Sequence, residues 1–100
     1  MQGEMYKEKF DALKVCVIIP TYNNAGTILQ VIESVQHYTN NIIVVNDGST
    51  DKTTVLLQGI NNLEIVGCTP NRGKGWALRT GFSKAIDLGY HFAITIDSDG

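Results

Sequence analysis

The sequence predicts an α/β fold built on an open, mainly parallel sheet. Three observations carry this. Four short apolar runs rich in β-branched residues recur along the chain, amphipathic segments separate them, and each of the more apolar runs ends in a polar or glycine-rich loop. A continuous apolar run marks a strand covered on both faces, and strands alternating with helices close into a parallel sheet through right-handed crossovers.

The elements follow in order. Residues 1–13 carry no clear period and read as an N-terminal extension in which Tyr6 and Phe10 pack a short turn on the body. Val15-Cys16-Val17-Ile18-Ile19 is the first strand, ended by Pro20, which has no N–H for a ladder. The loop Thr21-Tyr22-Asn23-Asn24 offers an Asn as cap for a helix with an apolar stripe at Ile28, Val31, Ile32, Val35 and Tyr38. Ile42-Ile43-Val44-Val45 is the second strand, followed by Asn46-Asp47-Gly48-Ser49-Thr50. Ser49 or Thr50 then caps a helix through Val55, Leu56 and Ile60, with Asp51 favourable in its first turn. Leu63-Glu64-Ile65-Val66 is less apolar and suits a sheet edge. The loop Thr69 to Gly75 is dense in Gly, Pro and Asn, and leads into a helix striped by Leu78, Phe82, Ala85 and Ile86. The fourth strand, near residues 92–97, delivers Asp97-Ser98-Asp99-Gly100.

Bulk properties exclude several classes. With 43% hydrophobic and 18% charged residues the 100-residue chain is globular and the size of one small domain. A net charge of −2 supplies no positive field for nucleic acid or an anionic membrane. No apolar run approaches the ~20 residues of a membrane span, and the polar, mixed-charge stretch Met1 to Lys9 is no signal peptide. Cys16 and Cys68 lie far apart without a C-x-x-C spacing, so both are expected as free buried thiols in a reducing compartment. The expected location is cytoplasmic, with the parent protein free to sit at the cytoplasmic face of a membrane. His37 and His91 have no partner motif and read as surface or strand-start residues.

In a parallel sheet every strand's carboxyl end lies on one edge, where ligands bind. Four loops therefore meet there: Pro20 to Asn24, Asn46 to Thr50, Thr69 to Gly75, and Asp97 to Gly100. Each alone could be a turn; together they make a site. Asp47 can accept from a base N–H or a ribose hydroxyl. Arg72 and Lys74 stand beside glycines whose bare backbone can approach a diphosphate. Asp97 and Asp99, at i and i+2, suit a hard divalent cation that bridges phosphate oxygens. Two commoner phosphate motifs fail. A G-x-G-x-x-G fingerprint starting at Gly73 meets Leu78 where its last glycine belongs, and a P-loop would need Ser or Thr after Lys74, where Gly75 stands.

Val17-Ile18-Ile19-Pro20-Thr21-Tyr22-Asn23, Val44-Val45-Asn46-Asp47-Gly48-Ser49-Thr50-Asp51, Asn71-Arg72-Gly73-Lys74-Gly75-Trp76-Ala77 and Ile96-Asp97-Ser98-Asp99-Gly100 resemble, in order and spacing, the successive motifs of family 2 glycosyltransferases. The resemblance runs from Lys14 to the last residue, and the Asn71-to-Gly81 stretch is similar to polyprenyl-phosphate glucose and mannose synthases. It implies the N-terminal half of a GT-A fold, Rossmann-like with strand order 3-2-1-4, in which residues 14–100 bind a UDP- or GDP-sugar for an inverting transferase. Pro20, Thr21, Tyr22, Asn23, Asp47, Gly73, Lys74 and Asp97 would hold the nucleotide sugar, with Asp47 reading the base edge. Asp97 and Asp99 would form the D-x-D motif, Asp99 holding Mg²⁺ or Mn²⁺ on the diphosphate. Asn46 departs from the pattern, since many members carry an acid there.

The family's catalytic base lies beyond the D-x-D motif, so the resemblance implies a fragment truncated after that motif and without transferase activity of its own. The alternatives are a haloacid-dehalogenase-type phosphatase fragment, where a strand also ends in D-x-D-G, and a nucleotide-binding module without catalysis. The fourth strand is expected to be an apolar edge bearing Phe92, Ile94 and Ile96, and a homodimer through it follows.

Overall fold

The structure is a computed structural model that describes residues 2–99; the side chain of Cys68, and with it the free-thiol expectation there, lies outside the described set. The chain runs α1 (Gln2–Ala12), β1 (Val15–Thr21), α2 (Ile28–Gln36), β2 (Ile42–Asp47), α3 (Thr53–Gln58), β3 (Glu64–Cys68), α4 (Lys74–Asp87) and β4 (Phe92–Thr95). All strand pairs are parallel and the sheet order is β3-β2-β1-β4, as expected. β1 and β4 are neighbours, which puts the reversal of strand order between Pro20 and Asp97. The strands come from β-branched side chains that fill both faces of the pleat. Ile18, Ile19, Val44 and Val45 are wholly buried.

The sheet divides two cores. On one face Val17, Ile19, Ile42 and Val44 meet Ile28, Ile32 and Val35 of α2 and Leu57 of α3. On the other, Cys16, Ile18, Ile43 and Val45 meet Ala77 and Ala85 of α4. Burial raises the pKa of the Cys16 thiol above its ordinary value, with its own backbone hydrogen bond opposing the shift. At the start of the sheet, Asn41 accepts from Val17 N at 2.8 Å through its carbonyl. Its side-chain amide donates to Val15 O at 3.0 Å and to Asp11 Oδ1 at 2.9 Å.

Four sequence expectations need correction. Residues 2–12 form a helix rather than a short turn; Phe10 packs on the core, and Tyr6 stands edge-on to Tyr38 with centroids 5.1 Å apart. α4 is turned from its expected stripe: Phe82 and Ile86 face solvent, and Ala77, Gly81 and Ala85 face the sheet. The reason is close approach, since a Cβ on Gly81 would lie 2.5 Å from Ile18 Cγ2, so only small residues fit that row. In α3 Leu57 is the buried residue and Val55 is exposed. Neither expected cap is made by a side chain. Asn24 instead receives Thr27 N and Ile28 N on its main-chain oxygen at the start of α2, and Asp51 rather than Ser49 or Thr50 accepts Thr53 N, at 2.9 Å.

Candidate functional site

The four strand ends meet in a cleft of about 320 Å³ lined by Pro20, Thr21, Tyr22, Asp47, Asn71, Gly73, Lys74, Ala77, Asp97, Ser98 and Asp99. A larger concavity of about 720 Å³ lies between α1, α2 and β4, but its walls are mainly apolar, among them Phe10, Val31, Val35 and Ile94. The polar side chains able to hold a charged ligand converge in the smaller cleft, so the chemistry belongs there. The two touch at Asp97.

Asp47, at the end of β2, is almost fully buried. Its Oδ1 accepts Arg72 N at 2.7 Å, and its Oδ2 accepts Gly73 N and Asn71 Nδ2, each at 2.8 Å. Asn71 Nδ2 also reaches the main-chain oxygen of Asp47 at 2.9 Å. The carboxylate thereby folds the third loop against the second while still lining the cleft. Gly48 follows with φ +71°, a region open to glycine, and packs on the backbone of Pro70 and Asn71.

The first loop is tied down in the same manner. Asn23 takes up left-handed φ 53°, which Asn tolerates better than most residues. Its Oδ1 accepts Thr50 N at 2.7 Å and Asp51 N at 3.2 Å, and its N–H donates to Ser49 Oγ at 3.0 Å. Asn23 is absent from the cleft lining; its side chain joins the first and second loops. The Thr21 hydroxyl is also turned inward, donating to Asn24 Oδ1 at 2.9 Å, and Tyr22 is left half-exposed at the rim.

Past β4, Ile96 N still bonds Ile18 O at 3.0 Å, after which the chain turns along the cleft. Ser98 is buried while Asp97 and Asp99 on either side are exposed, so both carboxylates face out from one anchored turn. Lys74, the first residue of α4, places Nζ 2.7 Å from Asp97 Oδ1. The hydrogen bond and charge of Asp97, with a smaller contribution from Asp99, raise the Lys74 ammonium's pKa above its ordinary value. Arg72 lies over the Trp76 ring, 5.9 Å from its centroid. Among the described residues no three His, Cys, Asp or Glu side chains gather as a metal cage. Two exposed carboxylates, Asp97 paired with Lys74 and Asp99 beside it, fit an ion that takes its remaining ligands from phosphate and water, as Mg²⁺ commonly does.

The Glycosyl transferase family 2 model matches residues 16–100. The chain belongs to that family. Its family 2 relatives include the UDP-N-acetylglucosamine–dolichyl-phosphate N-acetylglucosaminyltransferase of Methanococcus voltae, 34% identical over 103 residues that cover 86% of this chain and 41% of the relative. The polyprenol monophosphomannose synthase of Mycolicibacterium smegmatis is 31% identical over 94 residues, covering 87% of this chain and 36% of the relative. Among solved structures, residues 1–349 of S. aureus TarS superpose with TM-score 0.73 at 28% identity over 85% of this chain and 27% of that one. Glucosyl-3-phosphoglycerate synthase of Mycobacterium tuberculosis bound to UDP gives TM-score 0.71 at 25% identity, covering 97% of this chain and 38% of that one. The same synthase has been crystallised with Mn²⁺ and UDP-glucose. The chain thus spans less than half the length of these relatives. Family membership leaves the haloacid-dehalogenase alternative without support.

Sequence reasoning missed three lining or supporting residues: Asn71, Ser98 and Asn24. Asn71 opens the motif Asn71-to-Ala77, but its bond to Asp47 spans 24 positions and has no signature in local pattern. A serine between two acids could have been suspected of facing inward, because alternate residues of an extended segment point to opposite sides.

Proposed function

We propose that residues 14–100 form the donor-binding unit of an inverting glycosyltransferase, with residues 1–13 as an extension, and that the unit holds a nucleotide-diphosphate sugar together with a divalent metal. The observation that carries this reading is the convergence of Asp47, the Asn71-to-Lys74 loop and the Asp97/Asp99 pair on one cleft. A relative, the glucosyl-3-phosphoglycerate synthase, crystallised with UDP and Mn²⁺ or Mg²⁺ supports it.

In this reading Pro20, Thr21 and Tyr22 wall the nucleoside end, and the edge of Asp47 that faces the cleft reads the base. Gly73 lets the backbone approach the diphosphate, and Lys74 brings a positive charge against it. Asp97 and Asp99 hold the metal, which when bound neutralises charge on the diphosphate leaving group. We assign no catalytic base among these residues, so binding without sugar transfer is expected of this chain. For the whole protein, the dolichyl-phosphate- and polyprenol-named relatives support a polyprenyl phosphate as acceptor; the location that goes with this reading is the cytoplasmic face of a membrane. No described helix is long and apolar enough to cross one.

Calorimetric titration with UDP, with and without Mn²⁺, tests the site. Three carboxylates near a diphosphate repel it, so binding should require the metal. Asp99→Ala should remove the metal dependence. Equal UDP affinity with and without Mn²⁺ in the unaltered chain would defeat the assignment, as would sugar transfer by this chain alone defeat the absence of a base.

We also propose that this chain pairs with a second copy along β4. Phe92 is 63% and Ile94 47% exposed on an edge strand, with no proline or charge to discourage pairing. Light scattering behind a sizing column should give a dimer mass that Ile94→Lys returns to monomer. A monomer mass at every concentration would refute it.

A further inference from the structure

We propose that Asn24 and Ser98 are positioning residues that align the Asp97 and Asp99 carboxylates and couple the metal end of the cleft to its nucleoside end. The proposal rests on the donor-site reading above. Ser98 is 3% exposed between two exposed acids. Its hydroxyl lies 2.9 Å from Pro20 O and 2.7 Å from Asn24 Oδ1, and one proton serves these two acceptors. Its main-chain oxygen accepts the Thr27 hydroxyl at 2.5 Å. Beyond Ile96 the segment has left the ladder with β1, so these bonds take over its attachment to the sheet.

The second half of the relay is the Asn24 side chain. Tyr22 N donates to Asn24 Oδ1 at 3.1 Å. A backbone N–H can only donate, so the oxygen and not the nitrogen of the amide faces this cluster. The same oxygen accepts the Thr21 hydroxyl at 2.9 Å. One atom of Asn24 therefore gathers two of the residues that wall the nucleoside end, Thr21 and Tyr22, and the residue between the two metal-binding acids. The main-chain oxygen of Asn24 accepts Thr27 N and Ile28 N, which fixes this hub to the start of α2. A shift of Thr21 or Tyr22 on nucleotide binding is thus transmitted to the carboxylates, and the reverse holds by linkage.

The test follows Mn²⁺ binding by the electron paramagnetic resonance signal of the free ion, with and without saturating UDP, well below the unfolding midpoint of each variant. Groups that orient metal ligands typically contribute about ten- to a hundredfold to affinity. Ser98→Ala and Asn24→Ala should each lose about tenfold or more in Mn²⁺ affinity at saturating UDP. The double variant should lose no more than the weaker single, since both interrupt one relay. Ser98→Thr, which keeps the hydroxyl, should restore most of the loss, and uridine affinity without metal should change little in Ser98→Ala. Should Ser98→Ala fail to fold, Asn24→Ala and Thr27→Val carry the same expectation. Folded Ser98→Ala and Asn24→Ala with unaltered UDP-dependent Mn²⁺ affinity would overturn the relay, as would strictly additive losses. Absence of UDP-dependent Mn²⁺ binding in the unaltered chain would instead overturn the donor site, and the relay with it.

Discussion

Gly48→Ala should destabilise the chain by about 2–4 kcal/mol, the sum of a left-handed backbone strain and an overpacked contact, and should abolish nucleotide binding. A Cβ at this position would lie 2.3 Å from Asn71 N, 2.7 Å from Pro70 C and 2.8 Å from Asn71 Cα. All three are backbone atoms, so no rotamer change relieves the clash, and φ +71° adds its own cost. Relief must come from moving the loop that carries Asn71 to Gly73, and that motion pulls three donors off Asp47. Thermal unfolding combined with UDP calorimetry reads both effects. A variant with the parent's midpoint and affinity would show that the loop yields without cost.

Asp47→Asn should cost almost as much as Asp47→Ala, although the two side chains differ little in shape. Every side-chain partner described for this carboxylate is a donor: Arg72 N and Gly73 N from the backbone and Nδ2 of Asn71. An amide in its place turns one acceptor into an NH₂ group facing N–H groups. The new NH₂ group faces either Arg72 N or the two donors on the other oxygen, so at least one bond is lost and the rest lose their charge assistance. Such bonds contribute about 1.5–3 kcal/mol each, which outweighs the retained packing. We expect a loss of about 3 kcal/mol or more in chemical denaturation, with the third loop's amides becoming exchange-labile in hydrogen exchange. Asp47→Asn with parental stability and protected Arg72 and Gly73 amides would contradict this.

These two residues also show what was legible in the sequence. The strands were readable because Val15 to Ile19 and Ile42 to Val45 are β-branched and uninterrupted, and the site edge followed from parallel topology. Asp47, Lys74, Asp97 and Asp99 were named from their loops, and the fold brings all four to one cleft. The bonds that shape the cleft were not legible. They join residues tens of positions apart, such as Asn23 with Thr50 or Ser98 with Pro20, and no local period encodes them. The rotated face of α4 was missed for a related reason. Bulky residues at Phe82 and Ile86 suggested a core stripe, but the tight seat on Ile18 admits only Ala77, Gly81 and Ala85. α1 was missed although Tyr6, Phe10 and Leu13 stand at the helical spacing i, i+4 and i+7; the signal is short, and of these residues only Phe10 packs on the core while Met5, Tyr6 and Leu13 are exposed.

Asn41 has a bearing on how the chain avoids folding wrongly. β1 and β2 are apolar on both faces, so sliding one past the other would still bury aliphatic side chains against aliphatic side chains. Burial alone therefore discriminates weakly among competing alignments. Discrimination falls to the polar ends: Asn41 bonds the main chain of Val15 and Val17 only in the native alignment, and a slide would draw Asn46 toward the aliphatic interior, away from its bond to Thr54. The native alignment sets Thr21 opposite Asn46 and so brings the first and second loops side by side. The same polar termini that frame the ligand edge thus reject the misaligned sheets that the greasy centre would tolerate.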